Sequence, residues 1–389
     1  MSDDVVGLTE ELIARSSVTP DDQGCQGVLA ARLAAAGMRV ESHPHGDVEN
    51  LLAWHGDGTP HLMLLGHTDV VPPGPRDAWR SDPFVPTRRD GMLYGRGAAD
   101  MKSSVAAFVV ALERFLEHAP DHPGRVSLLL TSDEEGPARD GTVRVAETLA
   151  ERGVLPDAVL VGEPSSRARL GDVLRIGRRG SIQAVLTVRG RQGHTAYADP
   201  AENPVHRLAP ALAALTGMRF DDGDAAFPAT TLQVSNLAAG TGADNVTPGE
   251  ARVLFNLRHN PNSTAEALEH RVRDCLAETL DGEWTLEWRV SGRPFGPADG
   301  PLLAAATAAC ETVLSVRPEP DTGGGTSDGR FFGPGGIEVV ELGPVNRTIH
   351  QVDECVSVDD LLRLPDVFLE TVRGFFLGPQ RRGGASCAS

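Results

Sequence analysis

The sequence predicts an α/β protein in which a large domain of sheet and helices is interrupted by a smaller α+β domain. Helical and strand-like segments alternate over residues 1–179, the order changes to β-α-β-β-α-β over residues 180–292, and alternation resumes over residues 293–378. Alternation is typical of a sheet with helices on both faces, and the central order is typical of the ferredoxin-like arrangement. A chain of 389 residues is also longer than one typical core, which favours two domains.

The elements of the large domain follow from the spacing of apolar residues. Helical spacing predicts helices at 8–14, 27–36, 101–118 and 302–314. Short apolar runs predict buried strands at 61–65, 125–131, 158–161 and 337–341. The tail from Pro379 is rich in Gly, Arg and Ser, so we expect residues 379–389 to be disordered.

The inserted domain has a different pattern. Strand-like segments at 181–189, 231–237, 251–258 and 283–290 are separated by helical segments at 204–215 and 264–280. Two helices that each connect a pair of strands, with a direct strand-to-strand connection between them, give the order of the ferredoxin-like arrangement.

Composition excludes several classes of function. The formal net charge of −18 disfavours binding to a phosphate backbone, so no nucleic-acid partner is expected. No apolar run reaches the roughly 20 residues of a membrane span, and residues 1–4 lack the features of a signal peptide. We therefore expect a cytoplasmic protein with no membrane partner. The five scattered cysteines lack a C-x-x-C pair, which predicts reduced thiols rather than metal ligands.

Acidic and imidazole side chains directly follow three of the predicted strands. His67 and Asp69 follow the first strand, Glu134 and Glu135 the second, and Glu163 the third. In open α/β sheets, sites form in the crevice beyond the carboxyl ends of the strands. We therefore expect these side chains to meet at one edge of the sheet.

Asp100, where a glycine-rich loop enters the 101–118 helix, adds another carboxylate. Carboxylates gathered in one crevice repel one another unless cations neutralise them, so a dinuclear metal site is the favoured interpretation. Imidazole and carboxylate ligands without thiolate suit zinc or a similar first-row ion.

The residues also suggest roles. Asp69 could accept the second ring N–H of His67 and fix its tautomer. One of Glu134 and Glu135 could bind metal while the other acts as general base, and His350 could supply a further imidazole. Each residue alone has a simpler interpretation, because such carboxylates commonly cap helices or turns and a single histidine is seldom a ligand. Their convergence favours the metal site.

Four motifs resemble, in order, those of the aminoacylase and glutamate-carboxypeptidase group of metallohydrolases. They are GHTDVVPP at 66–73, YGRGAADMK at 94–102, TSDEEG at 131–136 and VGEPS at 161–165. Further similar stretches lie at 177–181, 192–194, 203–206, 240–245, 323–331 and 343–346. The resemblance covers nearly the whole chain and implies a zinc-hydrolase catalytic domain with an inserted dimerisation domain.

The resemblance assigns the metal-site roles that residue types alone leave open. It implies two Zn²⁺ ions per subunit, with Co²⁺ an alternative at one site, and a cis Asp100–Met101 peptide bond. Glu134 would be the general acid/base and Asp69 would orient His67. Asp100 would bridge the metals, and the remaining ligands would be His67 and Glu163 at one site and Glu135 and His350 at the other.

Within this group the chain is most similar to the desuccinylases. This implies hydrolysis of N-succinyl-L,L-2,6-diaminopimelate to succinate and L,L-diaminopimelate, in the synthesis of lysine and cell-wall precursors. It also implies a homodimer in which His194 of one subunit stabilises the oxyanion in the other. The residues that match substrate-binding positions are Arg178, Ser181, Asn245, Arg258, Gly325, Thr326 and Asn346.

Two alternatives remain. Ser103, Thr195, Arg347 and the 197–200 segment depart from the desuccinylase pattern, so the chain could be a related N-acyl-amino-acid hydrolase that acts on a different amine or acyl group. Arg178 and Arg258 favour a succinyl group, because a neutral acetyl group offers these cations no carboxylate. A catalytically inactive binding protein on the same fold is disfavoured by the intact set of ligands.

Overall fold

The computed structural model describes residues 4–378, so the tail from Pro379 that we predict to be disordered lies outside the described residues. An inserted compact unit comprises Arg178–Phe295 and Thr322–Thr326, and the remaining described residues form a large unit. Among residues 4–378, no helix is both long and apolar enough to cross a membrane.

The helices and strands of the two units are numbered along the chain. The helices are α1 (Asp4–Ile13), α2 (Cys25–Ala35), α3 (Ser103–His118), α4 (Thr142–Glu151), α5 (Pro204–Gly217), α6 (Ala265–Thr279), α7 (Pro301–Ala309) and α8 (Val358–Leu377). The strands are β1 (Arg39–Ser42), β2 (Asn50–Gly56), β3 (His61–His67), β4 (Thr87–Arg89), β5 (Met92–Tyr94), β6 (Arg125–Thr131), β7 (Ala158–Val161), β8 (Val173–Arg175), β9 (Gly180–Arg189), β10 (Gly193–His194), β11 (Thr231–Ala239), β12 (Val246–Thr247), β13 (Glu250–His259), β14 (Trp284–Gly292), β15 (Glu319–Asp321), β16 (Glu338–Glu341) and β17 (Cys355–Ser357).

The large unit is built on an eight-stranded mixed sheet with the order β1-β2-β6-β3-β7-β16-β8-β15. Strands β6, β3, β7 and β16 are adjacent and mutually parallel. Their carboxyl ends therefore share one edge of the sheet. This arrangement confirms the predicted α/β fold.

Apolar helices cover this sheet. Helix α3 buries most of its length, and the rings of its Phe108 and of Phe368 on α8 pack with centroids 4.3 Å apart. Strand β3 is buried at every position, which explains its continuous apolar sequence. Packing in the core thus fixes the positions of the strands that end next to the acidic residues.

The inserted unit has one antiparallel sheet with the order β11-β13-β9-β14. Helices α5 and α6 pack on it through apolar side chains such as Leu208, Leu215 and Val272. The alternating burial of β13 matches its alternating sequence. The order of strands and helices is that of the predicted ferredoxin-like arrangement.

Some boundaries differ from the expected ones. Helix α3 begins at Ser103 rather than at residue 101, because Asp100 and Met101 have non-helical backbone angles. Helix α7 ends at Ala309 and gives way to a wider π-type turn, Cys310–Leu314. The Thr322–Thr326 segment, expected in the large domain, belongs to the inserted unit. Its Thr322 hydroxyl donates to the Ala226 carbonyl at 2.5 Å.

Candidate metal centre

Three parallel strands deliver the acidic residues to one edge of the large unit. His67 is the last residue of β3 and lies opposite Thr131, the last residue of β6. Glu134 and Glu135 follow Thr131 after a short turn, and Glu163 follows the end of β7. The buried apolar faces set the register of the strands, so the side chains that follow the strands lie at the same position along the strand direction.

The Asp100 loop approaches the same edge through Met101. A Cβ atom at Gly66 or Gly162 would lie 2.7 Å or 2.5 Å from the Met101 Cε. These separations are too short for carbon atoms, so a side chain at either strand end would displace the end of the methionine side chain from its observed place. The Asp100–Met101 peptide bond is cis, in agreement with the resemblance.

One ligand group forms around His67, which is buried. Its Nε2 lies 3.3 Å from Asp100 Oδ1 and 3.7 Å from Glu163 Oε1. Its Nδ1 faces the backbone carbonyl of Asp69 at 2.9 Å. When Nδ1–H donates to this carbonyl, the Nε2 lone pair points at the carboxylates and is available to a metal.

A second ligand group forms around His350 and uses the other oxygen of Asp100. His350 Nε2 lies 2.9 Å from Glu135 Oε1 and 3.4 Å from Asp100 Oδ2. Asp100 thus directs one carboxylate oxygen at each imidazole. This is the geometry required of a carboxylate that bridges two cations.

Among residues 4–378, the groups whose ligand atoms all lie within 4.8 Å of one another are His67–Asp100–Glu135 and His67–Glu134–Glu163, and neither of them is one of the two groups above. Both use His67 and omit His350. We favour the division by the two oxygens of Asp100, because it gives each cation its own imidazole and leaves Glu134 free.

The charges at this edge fit divalent cations. Burial raises the pKa of Glu163 well above its usual value, and the charges of Asp100 and Glu134 add to this effect. Hydrogen bonds to Asp100 and Glu135 raise the pKa of His350 to about 10. Without cations, protons on Glu163 and on the His350 ring would offset part of the negative charge of this edge, and cations bound to the same atoms would replace them. Imidazole and carboxylate donors without thiolate suit first-row divalent ions.

Asp69 contacts the Glu134–Glu135 turn more closely than the ring that it was expected to orient. Its Oδ1 is 3.6 Å from His67 Nδ1, whereas its Oδ2 accepts the Glu135 backbone N–H at 3.0 Å. Its Oδ1 also accepts the Glu134 N–H at 3.3 Å. It is the backbone carbonyl of Asp69 that holds the imidazole.

Glu134 has neighbours that sequence reasoning did not identify. Arg330 Nη1 lies 3.8 Å from Glu134 Oε1, and Arg330 Nη2 lies 3.2 Å from Asp328 Oδ1. Burial raises the pKa of Glu134 well above its usual value, the charge of Asp328 adds to this, and His67 and Arg330 oppose it. Asp328 and Arg330 lie in the 323–331 stretch that resembles the family. Sequence spacing alone does not reveal a contact between Arg330 and Glu134, because the two residues are far apart along the chain.

The inserted unit gathers most of the predicted substrate-binding residues at one end of its sheet. Arg258 lies opposite Ser181 in the β13–β9 ladder. Arg178, just before β9, donates to the Gly323 carbonyl at 2.9 Å in the segment that contains Gly325 and Thr326. Among residues 4–378, no carboxylate forms a salt bridge with Arg258, and burial lowers the pKa of its guanidinium.

His194 and Asn245 also lie in the inserted unit, on the short β10–β12 pair and the turn before it. The Thr195 N–H donates to the Asn245 carbonyl at 3.0 Å. The Ala196 N–H donates to His194 Nδ1 at 3.1 Å. In the neutral imidazole the proton is therefore on Nε2, which makes this nitrogen a hydrogen-bond donor.

Asn346 belongs to the large unit, where its N–H donates to the Ser166 carbonyl at 2.9 Å. The neighbouring Arg347, one of the departures from the family pattern, lines a cavity of about 160 Å³ with Met92, Cys355 and Asp360. Ser103 is fully buried at the start of α3. Among residues 4–378, neither of these side chains forms a hydrogen bond or salt bridge with a predicted metal ligand.

Comparison with known proteins places this arrangement in a family. Residues 63–374 match the model of peptidase family M20/M25/M40. Succinyl-diaminopimelate desuccinylase from Stenotrophomonas maltophilia (strain K279a) is 57% identical over 368 residues, which cover 95% of this chain and 98% of the relative. The protein of the same name from Xylella fastidiosa (strain M12) is 56% identical over 365 residues, which cover 94% of this chain and 97% of the relative.

Solved structures show the same fold at low identity. An M20 family metallo-carboxypeptidase from Sulfolobus solfataricus superposes with a TM-score of 0.78 at 16% identity and covers 96% of this chain and 99% of its own. A dinuclear metal binding peptidase of the M20 family from Bacillus subtilis has a TM-score of 0.71 at 15% identity, with coverage of 96% and 97%. From the family match and the two relatives, this chain belongs to peptidase family M20/M25/M40.

Proposed function

We propose that this chain is an amide hydrolase that converts N-succinyl-L,L-2,6-diaminopimelate to succinate and L,L-diaminopimelate. The observation that carries the proposal is the Asp100 carboxylate, which directs one oxygen to His67 and the other to His350. Glu134 beside it belongs to neither ligand group. The names of relatives 56–57% identical over nearly the whole chain support the substrate.

The residues that would hold the metals are the two groups described above. Asp100 would be shared, with His67 and Glu163 at one ion and Glu135 and His350 at the other. We propose Zn²⁺ at both positions, with Co²⁺ an alternative at one. When bound, such ions supply positive charge that polarises an amide carbonyl and lowers the pKa of water.

Glu134 would carry the proton of the reaction. As a carboxylate it takes a proton from water while the water oxygen bonds to the amide carbon. It then donates this proton to the departing nitrogen as the C–N bond breaks, giving succinate and the free amine. The turn that presents Glu134 is held by the Asp69 carboxylate through the backbone N–H at 3.3 Å.

Recognition of the succinyl group would fall to the cationic end of the inserted unit. A guanidinium can hold a carboxylate through two parallel hydrogen bonds, and Arg258 has no carboxylate partner among residues 4–378. Ser181, opposite Arg258 on the neighbouring strand, and the Gly325–Thr326 backbone would add donors. We assign Arg178, Asn245 and Asn346 to the same recognition of substrate.

We also propose that two copies of the chain associate through their inserted units. His194 of one copy would then donate its Nε2–H to the oxyanion formed in the other. The Ala196 N–H, 3.1 Å from Nδ1, favours the tautomer required for this. One such donor typically contributes about 3–4 kcal/mol of transition-state stabilisation.

An assay of amine release by the zinc-loaded protein tests the proposal. N-succinyl-L,L-diaminopimelate would be compared with N-acetylornithine and with other N-succinyl amines, and Glu134→Gln would serve as the inactive control. Strong preference for the succinylated diaminopimelate is expected. Turnover only of another succinyl amine would reject the proposed amine half. No turnover of any amide by metal-loaded protein would reject the hydrolase.

A further inference from the structure

We propose that Glu354 is a positioning residue that holds Asp100 at its bridging place relative to His350. Neither the metal-site motifs nor the family resemblance drew attention to it. The inference rests on the metal centre of the proposed function and concerns how the chain builds that centre. It does not depend on the identity of the substrate.

Both oxygens of Glu354 are used by the loop that carries Asp100. Oε1 accepts the backbone N–H groups of Ala99 at 2.9 Å and Asp100 at 3.0 Å. Oε2 accepts the Gly97 N–H at 3.1 Å and Arg96 Nη1 at 2.7 Å. Three backbone N–H groups of one loop, those of Gly97, Ala99 and Asp100, are thereby held by one side chain, and the last of them belongs to the proposed bridging ligand itself.

These contacts are buried. Glu354 has 0% of its surface exposed and Arg96 has 2%. A buried carboxylate is tolerated only when ion pairing and hydrogen bonds compensate for the loss of water, and here all four donors are spent on one loop. Removal of the charge would leave donors in the loop without an acceptor, so the backbone around Asp100 would have to move.

Glu354 is also joined to the turn that carries His350. The Thr348 hydroxyl donates to the Cys355 carbonyl at 3.0 Å and accepts the Cys355 N–H at 3.1 Å. These two bonds close a loop that contains both His350 and Glu354. The Glu354 carbonyl also accepts the Gly95 N–H at 3.0 Å. The His350 turn and the Asp100 loop are therefore joined through one residue, on its backbone and its side chain.

The consequence is a fixed separation between the two ligands. His350 Nε2 and Asp100 Oδ2 are 3.4 Å apart, and both must face the same cation. A ligand pair held in advance binds metal more tightly than one that must be ordered on binding. We therefore expect loss of the Glu354 carboxylate to weaken the cation that His350 and Glu135 would bind.

Glu338 provides a matched control. Its carboxylate accepts three backbone N–H groups, from Gly300, Leu302 and Leu303, at 2.9–3.0 Å. Glu338 is the first residue of β16 in the large unit, its carboxylate caps the start of α7, and among residues 4–378 it bonds to no residue of the metal centre. Glu338→Gln removes a backbone-capping carboxylate of the same kind from a different place.

The experiment compares Glu354→Gln and Glu338→Gln with the unaltered full-length chain. Zn²⁺ is titrated calorimetrically into each metal-free protein, the visible spectrum of each Co²⁺-loaded protein is recorded, and melting temperatures are measured. For Glu354→Gln we expect one of two equivalents to bind about 10–100-fold more weakly, with an altered Co²⁺ spectrum. For Glu338→Gln we expect a lower melting temperature, with binding and spectrum unchanged.

Two results would overturn the inference. One is wild-type affinity and spectrum for both equivalents in Glu354→Gln, and the other is an equal loss of affinity in Glu338→Gln. Should Glu354→Gln fail to fold, Glu354→Asp takes its place, because it keeps the charge but shortens the reach, and the same expectations apply. An unaltered chain that binds two ions but hydrolyses no succinyl amide would reject the proposed substrate and leave this inference standing.

Discussion

The carboxylate of Asp69 accepts the backbone N–H of Glu135 at 3.0 Å, and that of Glu134 at 3.3 Å. It thereby holds the turn that presents Glu135, the proposed metal ligand, and Glu134, the proposed general base, side by side. The imidazole of His67 is held instead by the carbonyl of the same residue, at 2.9 Å. One residue thus orients both sides of the candidate centre, through different atoms.

Asp69→Asn should lower kcat by about 10–100-fold, because an amide can accept only one of the two N–H groups and its own NH₂ would repel the other. Steady-state kinetics with the zinc-loaded protein measures this change. Asp172→Asn is the control, since its carboxylate accepts the N–H groups of Arg167, Ala168 and Arg169 away from the centre. Equal kinetic effects of the two substitutions would contradict the assigned role.

Glu134→Gln should lower kcat without loss of metal, whereas Glu135→Gln should cause loss of metal. Glu134→Gln should keep two metals per chain and lose about 10²–10⁴-fold in kcat, because a neutral amide cannot take a proton from water. Glu135→Gln should lose one metal, because it weakens the ligand 2.9 Å from His350. Metal content by elemental analysis and kcat are measured on the same samples. Metal loss in Glu134→Gln would favour the combination His67–Glu134–Glu163 instead.

Arg258→Met should raise KM for N-succinyl substrates by about 10–100-fold, the usual effect of losing hydrogen bonds to a charged group. KM for an N-acetyl substrate should change little, because that substrate carries no distal carboxylate. Arg252→Met on the same strand is the control, since its side chain is exposed and lies opposite Thr187. A uniform rise in KM for both acyl groups would argue against recognition of the succinyl carboxylate.

His61 should make the large unit sensitive to acid. Burial, with a contribution from the charge of Arg125, lowers its pKa from 6.5 to about 4. Between pH 4 and pH 6.5, His61 binds more protons in the unfolded chain than in the folded chain. The contribution of neutral His61 to the free energy of unfolding is therefore fully present above pH 6.5 and is lost as the pH drops towards 4. In this range the free energy of unfolding should fall by about 1.4 kcal/mol per pH unit.

Melting temperatures of the metal-free protein at pH 7 and pH 5 test this prediction. His61→Gln, which can still bond to the Ser127 hydroxyl 2.7 Å away, should lose less stability on acidification than the unaltered chain. The surface substitution His118→Gln should not change the acid sensitivity. An identical loss in the unaltered chain and in His61→Gln would refute the role of His61.

Much of the candidate centre follows from local pattern. A buried parallel strand is recognisable from its apolar run, and the residue after it must emerge at the sheet edge, which is why His67 and Glu163 could be expected to meet. The bridging role of Asp100 came from the family resemblance and not from residue types. In the structure the two carboxylate oxygens of Asp100 face His67 and His350, which is what such a role requires.

The sequence by itself determined the class of fold, the ferredoxin-like order of the inserted unit and the set of residues that reach the sheet edge. Those properties depend on periods of two and 3.6 residues, which are local. Only the tertiary structure decided that β16 lies beside β7, that Asp69 grips the Glu134–Glu135 turn, and that Glu354 anchors the Asp100 loop. Each of these contacts joins segments far apart along the chain. Their geometry is set by packing of the whole core, which no local period encodes.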